Sequence, residues 1–253
     1  MALPSSRPAS AAGPALASHP LLWRGKQVAH RVPAISTGHA VLDAVLPGRG
    51  WPLGAVTELL NDTAGCGELS LLLPALAHLS REGRWVSMVD PPWIPYPSAL
   101  HGHGLALEKL LLVRTKNRAE SLWACEQVVR GMAGGAVLAW PDSLSFAELR
   151  RLQLAAEQTH KSVFLFRDTQ AANAPSPAAL RLQLAADDDN LLIRVLKCRG
   201  QRPAADIPVR RAQLLQPVAL PRDNTGAPGQ GAGPAPGSPV VSPYTLQTGQ
   251  PSP

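Results

Sequence analysis

Residues 35–70 read ISTGHAVLDAVLPGRGWPLGAVTELLNDTAGCGELS, and they are laid out like a nucleotide phosphate-binding loop. A short apolar run, Ala55–Leu60, comes first, a glycine-containing loop follows it, and an apolar stretch with helical spacing comes next. A strand, a glycine-containing loop and a helix in that order are the context that a P-loop requires. The stretch therefore predicts a strand–loop–helix unit of an α/β protein.

The loop itself lacks the groups that bind phosphate. A working P-loop closes with Gly-Lys-Ser/Thr, in which the lysine reaches the terminal phosphates and the hydroxyl group binds magnesium. Here Gly67 is followed by Glu68 and Leu69. Unit charges about 4 Å apart interact by roughly 4 kcal/mol at a surface-like dielectric, so a carboxylate in place of the lysine opposes phosphate binding. We interpret this segment as a degenerate nucleotide loop, kept for its shape. Its residues are Asn61, Gly65, Gly67, Glu68, Leu69 and Ser70.

The composition fits one sizeable domain with tails. The chain has 253 residues, of which 45% are hydrophobic. Lysine and arginine number 24 against 18 acidic residues, and the resulting net charge of +6 permits contact with nucleic acid or with an acidic partner. The cysteines Cys66, Cys125 and Cys198 are widely spaced without a Cys-x-x-Cys pair. The sequence therefore predicts neither a disulfide framework nor a metal site, and it favours a cytoplasmic location.

The two ends of the chain differ from its middle. Residues 1–18 are rich in Ala, Pro and Ser, and in residues 221–253 proline and glycine supply 14 of 33 positions. Neither segment buries enough apolar surface to offset the entropy cost of ordering, so both are predicted to be disordered, with one folded domain over residues 19–220. The N-terminal segment has no apolar core like that of a signal peptide, and no apolar run approaches 18 residues, so we expect no membrane contact.

Between the tails, apolar runs of strand length alternate with helical patterns, which is typical of a mostly parallel sheet flanked by helices. Ser145 and Glu148 form a capping-box pattern that opens a helix running to about Thr159. Pro74 is expected to kink the helix that follows the loop. The predicted strands are Ala55–Leu60, Trp85–Val89, Lys109–Val113, Ala136–Trp140 and Val163–Phe166. A further helix before the fourth strand is indicated by the spacing of Leu122, Cys125, Val129 and Met132.

After residue 177 the pattern changes to the alternation of a half-buried strand. Leu180, Leu182 and Leu184 alternate with polar side chains, an Asp-Asp-Asp-Asn turn follows, and LLIRVLK returns. This pattern predicts a C-terminal antiparallel hairpin beside the parallel sheet.

The segment that continues from this hairpin is basic. Residues 194–211 hold six arginine or lysine residues against one acid, Asp206. Such a stretch can follow a nucleic-acid backbone, contact a protein partner, or form only the solvated face of the hairpin. The candidate contact residues are Arg194, Lys197, Arg199 and Arg202.

The tryptophans divide into two groups. Trp85 and Trp140 lie on predicted strands and are expected in the core, whereas Trp23 and Trp93 lie in irregular segments and are candidate anchors for a partner. The sequence His101-Gly102-His103 has no third ligand at a recognisable spacing, which favours a solvated loop over a metal site.

Several longer stretches resemble the RecA recombinase core. The run STGHAVLDAVLPGRGWPLGAVTELL resembles the approach to its P-loop, REGRWVSMVD its second strand, and EKLLLV with AESLWACEQVVRGMAGGAVLAWPDS the helix and strand that end in its Walker B aspartate. More narrowly, WRGK, GWPLGAVTELL, GELSLLLPAL, FLFRD and SPAALRLQL resemble ImuA, a RecA-related family of damage-induced mutagenesis operons. The resemblance covers about Val32–Pro208 and implies a RecA-like core.

Carried over position by position, the resemblance implies that RecA-type catalysis is lost. Glu68 stands in place of the P-loop lysine, and Leu69 in place of the hydroxyl residue. The glutamate that polarises the attacking water in RecA is absent, because Asp90 is followed by Pro91 and Pro92. Asp142 matches the Walker B aspartate but has no phosphate-bound metal to hold. We therefore expect no enzymatic activity, no catalytic residues and no cofactor.

The resemblance to ImuA implies a non-catalytic accessory role in SOS-induced translesion DNA synthesis. The implied partners are an ImuB-type Y-family polymerase relative and an error-prone DnaE-type polymerase, with RecA and DNA as further candidates. Two alternatives stay open. One is a cell-division inhibitor of the SulA kind, which is expected to be shorter than this chain; the other is an active RecA-type ATPase, which requires compensation for Glu68, Leu69 and Pro92.

Overall fold

The computed structural model describes residues 33–131, 135–198 and 206–216. These residues belong to one compact unit. The two segments that were predicted to be disordered, 1–18 and 221–253, lie outside the described residues.

A mixed sheet of eight strands forms the centre of the described structure. Its strands are β3 (Ala55–Leu60), β4 (Val86–Val89), β5 (Leu110–Val113), β6 (Ala136–Ala139), β7 (Ser162–Arg167), β8 (Leu180–Ala186), β9 (Asn190–Lys197) and β10 (Ile207–Arg210). They lie in the order β10-β9-β8-β3-β7-β6-β4-β5. From β8 to β5 neighbouring strands are parallel, and β9 and β10 run antiparallel to their neighbours. A separate two-stranded ladder joins β1 (Ala34–Ile35) to β2 (Trp51–Pro52).

This topology confirms the mostly parallel sheet and the C-terminal hairpin. All five predicted parallel strands are present within one residue at each end, and the hairpin is β8–β9. The strands β1, β2 and β10 were not predicted. The first two contain only two residues each, and β10 contains only four, one of which is Pro208.

Helices cover both faces of the sheet. Ser145 and Glu148 make the predicted capping box, and α5 ends at Thr159 as expected. Pro74 lies inside α2, which continues to Arg81. Met132, which was assigned to α4 from its spacing, lies outside the described residues. The helices are α1 (Ala40–Asp43), α2 (Glu68–Arg81), α3 (Pro97–Gly102), α4 (Arg118–Arg130), α5 (Phe146–Thr159) and α6 (Arg211–Leu214).

Alternating residues of the strands supply two separate cores. One core lies on the α2 side of the sheet, where Leu59 and Leu72 pack with the hairpin residues Leu182 and Ile193. The other lies on the side of α4 and α5, and its members include Val56, Val137, Val163, Ala124 and Leu152. The predicted strands therefore place apolar side chains on both faces, as expected for a sheet covered on both sides.

Trp85 and Trp140, which were expected in the core, are not fully buried, although Trp140 packs against the core on the α2 side. Both are only partly buried, because each lies just outside its strand. Lys109 Nζ lies 5.4 Å from the ring centroid of Trp85. Trp140 stacks on Phe166 with ring centroids 4.3 Å apart.

A buried ion cluster connects three adjacent strands. Glu58 on β3 is fully buried and lies directly opposite Arg181 on β8. Arg167 at the end of β7 donates a hydrogen bond of 2.5 Å to Glu58 Oε1, and Arg181 Nε lies 2.6 Å from Glu58 Oε2 as an ion pair without hydrogen-bond alignment. Arg181 also donates to the carbonyl oxygens of Ala171 and Ala174 at 2.6 and 3.1 Å. One carboxylate therefore balances one buried cation, Arg181, and one partly buried cation, Arg167, at the junction of β7, β3 and β8.

We predict that Glu58→Gln destabilises the domain by about 3–5 kcal/mol, because it leaves the buried Arg181 and the partly buried Arg167 without their counter-charge. Glu126→Gln is the matched control, since Glu126 pairs with Arg151, whose side chain is 49% exposed, and exposed pairs contribute about 1 kcal/mol or less. Urea unfolding followed by circular dichroism measures both free energies. Equal stability of the two variants would contradict the assignment.

Candidate functional site

A cavity of about 550 Å³ opens at the carboxyl ends of the parallel strands. Its lining includes residues that follow successive strands: Asn61 after β3, Asp90 after β4, Thr115 after β5, Asp142 after β6 and Asp168 after β7. Open α/β sheets bind their ligands at this edge. The sequence placed Asn61 and Asp142 at such a site, and the structure brings them into one cavity together with Glu68.

The loop between β3 and α2 is closed by its own carboxylate. The backbone N–H of Gly65 donates to Glu68 Oε1 at 2.7 Å, and the N–H of Gly67 donates to Glu68 Oε2 at 3.0 Å. Glu68 is 6% exposed. Backbone N–H groups in such a loop are the groups that cradle an anion in a phosphate-binding loop. In this chain the anion that they contact is the Glu68 side chain.

Local geometry explains why the carboxylate is held there. Gly65 and Gly67 have φ values of 87° and 113°, a backbone conformation that favours glycine. Glu68 is the first residue of α2, where the partial positive charge of a helix N-terminus favours an anion. The neighbouring Cys66 thiol has its pKa raised to about 12 by burial and by the charge of Glu68. A neutral thiol and a buried carboxylate therefore stand at the start of α2.

The remaining residues of the predicted loop do not line the cavity. Leu69 packs against the core on the α2 side, and Ser70 is partly buried in the first turn of the helix. Gly67 does not line the cavity either. A Cβ atom at this position would point towards α6, where it would lie 3.3 Å from Leu214 Cδ1. The Ser70 hydroxyl group is therefore not part of the cavity wall.

Negative charge predominates in the lining. The cations are Lys116, Arg118 and Arg167, and two of them already have acidic partners. Arg118 Nη2 lies 2.7 Å from Glu148 Oε2, and Arg167 is bound to the buried Glu58. The five lining carboxylates are Asp62, Glu68, Asp90, Asp142 and Asp168. The field at this cavity therefore opposes a polyphosphate ligand.

Asp90 has a structural task at the cavity wall. Its two carboxylate oxygens accept hydrogen bonds from the backbone N–H and the hydroxyl group of Thr115, at 2.7 and 2.6 Å. Burial by itself would raise the pKa of Asp90, but hydrogen bonds from Thr115 and Ser121 and the charge of Arg114 outweigh it and lower the pKa. Asp90 therefore fixes the segment between β5 and α4. Pro92, which follows Asp90 in the sequence, also lines the cavity.

Two of the four candidate contacts for DNA or a partner, Arg194 and Lys197, lie within the described residues, and both have partners in this chain. Arg194 makes two hydrogen bonds of 2.8 Å with Asp206, and Lys197 Nζ donates to the carbonyl oxygen of Ser176 at 2.7 Å. Arg199 and Arg202 lie outside the described residues. Asp206, the one acid of this segment, neutralises the charge of Arg194. The number of basic residues therefore overstates the free positive charge of the segment.

The described residues contain neither a metal-binding cluster nor a membrane-spanning helix. No group of three or more His, Cys, Asp or Glu side chains in this part of the chain is placed to hold a metal ion. None of the helices within these ranges combines the length and hydropathy that crossing a bilayer requires.

The sequence analysis did not identify the cations Arg118 and Arg167 as cavity residues, because their placement depends on how distant segments of the chain meet.

Comparison with known proteins finds similarity to three groups: SulA, ImuA and RecA. The family model described as cell division inhibitor SulA matches residues 54–162. SulA of Edwardsiella piscicida is 34% identical over 115 residues, which are 44% of this chain and 68% of that protein. ImuA of Caulobacter vibrioides is 29% identical over 131 residues, 50% of this chain and 54% of that protein.

RecA of Chlorobaculum parvum is also similar, at 32% identity over 102 residues, 40% of this chain and 29% of that protein. The chain therefore spans about two thirds of the SulA relative, about half of ImuA and less than a third of RecA.

We predict that Glu68→Ala destabilises the domain by about 1–3 kcal/mol, because the amide groups of Gly65 and Gly67 lose their acceptor. Added inorganic phosphate should recover part of this loss in the variant and change the parent little, since a ligand that binds only the folded state stabilises it. Thermal unfolding in phosphate and in chloride of equal ionic strength is the measurement. Glu82→Ala, an exposed site at the other end of α2, is the control. A phosphate response of the parent as large as that of the variant would refute the assignment.

Proposed function

The chain belongs to the RecA/SulA-related family, and on that premise we propose that it is a non-catalytic, cytoplasmic accessory protein of SOS-induced translesion DNA synthesis. By similarity to ImuA, its partners are an ImuB-type Y-family polymerase relative and an error-prone DnaE-type polymerase. RecA and DNA are further candidate contacts. The SulA, ImuA and RecA matches together support a DNA-damage context.

The observation that carries the non-catalytic proposal is the contact of Glu68 with the amide groups of Gly65 and Gly67. A nucleotide phosphate would have to displace this carboxylate and then bind among the acidic side chains of the cavity. Phosphoryl transfer needs a phosphate cradle, a metal site and a positioned water at the same time. The loop supports an interpretation in which the fold serves as a scaffold for protein contacts.

The sheet extends beyond the segment that matches the SulA model. The matched SulA model ends at residue 162, whereas the sheet continues through β7, β8, β9 and β10. These strands are integral, because Leu182, Leu191 and Ile193 are fully buried in the core on the α2 side. A SulA-like segment therefore makes up only part of this fold.

A second candidate is a cell-division inhibitor of the SulA kind. The observation that favours it is the family model itself, which covers the loop, the cavity strands β4 to β6 and the helices α2 to α5. The two candidates differ in the process that responds to the protein, DNA-damage mutagenesis or cell division.

The first expected outcome concerns nucleotide. Equilibrium dialysis with labelled ATP and magnesium should detect no binding at micromolar or tighter affinity. Glu68→Lys should not create ATP hydrolysis, because the site would still lack a hydroxyl ligand for magnesium and a carboxylate that polarises the attacking water. Turnover by this variant above the parent level would show that the loop is the only defect.

The second expected outcome concerns the cell. Deletion of the gene should abolish the rise in mutation frequency after ultraviolet damage, and the parent gene on a plasmid should restore it. Overproduction without damage should leave cell length unchanged. Filamentous cells together with normal induced mutagenesis would instead support the cell-division inhibitor and refute the translesion role.

A further inference from the structure

Three large apolar side chains project from one short loop between β4 and α3. Trp93, Ile94 and Tyr96 are 72%, 81% and 71% exposed. Single exposed apolar residues are ordinary on protein surfaces, but a cluster of large ones marks an interaction site more often. Trp and Tyr are also among the residue types that dominate the binding energy of protein interfaces.

The loop is anchored at both ends, so its exposure is not that of a loose segment. At its start, Asp90 accepts two hydrogen bonds from Thr115. At its end, the carbonyl oxygen of Tyr96 accepts the N–H of Leu100 at 3.1 Å, and the Leu100 side chain is 4% exposed. Four of the seven residues 91–97 are proline, which restricts the backbone between these anchors. A loop that is already restricted loses little conformational entropy when it docks.

The loop borders the acidic cavity. Pro92, next to Trp93, is part of the cavity lining. The lining contains five carboxylates against three cations, and both lining arginines are paired with Glu148 and Glu58. A basic side chain that approaches beside the loop therefore meets negative charge, while an acidic one is repelled.

We propose that Trp93, Ile94 and Tyr96, together with the acidic mouth of the cavity beside them, form a docking surface for a protein partner that presents an apolar patch next to an arginine or lysine. The partner's apolar patch covers the three side chains, and its basic group enters the cavity beside Pro92. This inference rests on the proposed function in one respect, namely that the chain acts by binding other proteins.

The test compares binding of the parent and three variants, all full-length, to the immobilised ImuB-type protein and DnaE-type polymerase of the same bacterium. Trp93→Ser/Ile94→Ser removes the exposed anchors and is expected to weaken binding at least tenfold. Val41→Ser/Leu215→Ser is the matched control, because these residues are 51% and 71% exposed and lie on α1 and after α6, elements that contact β10 at the opposite edge of the sheet. The control should bind within twofold of the parent. Asp142→Asn should weaken binding and reduce its dependence on salt.

Each outcome separates the docking surface from the proposed function. If the loop variant binds a polymerase protein as tightly as the parent does, the docking surface is refuted and the function stands. If the parent binds neither protein, the function fails. A photo-crosslinking residue at position 94 then decides the surface: it is supported only when the captured, purified protein binds the parent and loses binding to the loop variant. No crosslink, or a crosslink to a second copy of this chain, refutes the proposed partner.

Discussion

The contact between the Glu68 carboxylate and the N–H groups of Gly65 and Gly67 determines how the loop, the helix α2 and the cavity fit together. Two charge-assisted hydrogen bonds and the start of a helix offset the cost of burying this carboxylate. With its acceptor in place, the loop needs no external anion to satisfy its amide groups. The same side chain adds negative charge to the cavity wall. One residue therefore both completes the loop and makes the neighbouring space unfavourable for phosphate.

A second carboxylate connects this cavity to the C-terminal strands. Arg167 lines the cavity and is bound to Glu58, and Glu58 also faces Arg181 on β8. Arg181 in turn binds the carbonyl oxygens of the turn that follows β7. Arg167, one of the three lining cations, thus helps Arg181 to hold β3, β7 and β8 together. This explains how a cavity lined by arginine can still present a negative field, and why the hairpin is integral to the fold around the site.

The sequence predicted the parts of the fold that depend on local pattern. The five parallel strands and the hairpin followed from apolar runs and alternation, and the start of α5 followed from Ser145 and Glu148. Pairing between distant residues was not predictable. The contact of Glu58 with two arginines depends on strand register, and the bond between Arg194 and Asp206 depends on how β9 and β10 meet. The count of basic residues in this segment contains no information about such a pair. For Glu68 the sequence predicted repulsion of phosphate, but only loop geometry reveals the contact that replaces it.

A loop closed by its own carboxylate has a consequence for regulation. In nucleotide-dependent switches the γ-phosphate holds mobile segments that relax after hydrolysis, so partner affinity changes with the bound nucleotide. Here the acceptor is covalently part of the chain, and Asp90 fixes the neighbouring segment through Thr115 without a ligand. The amide groups that a phosphate would contact in such a switch are therefore already bound to a side chain of this chain.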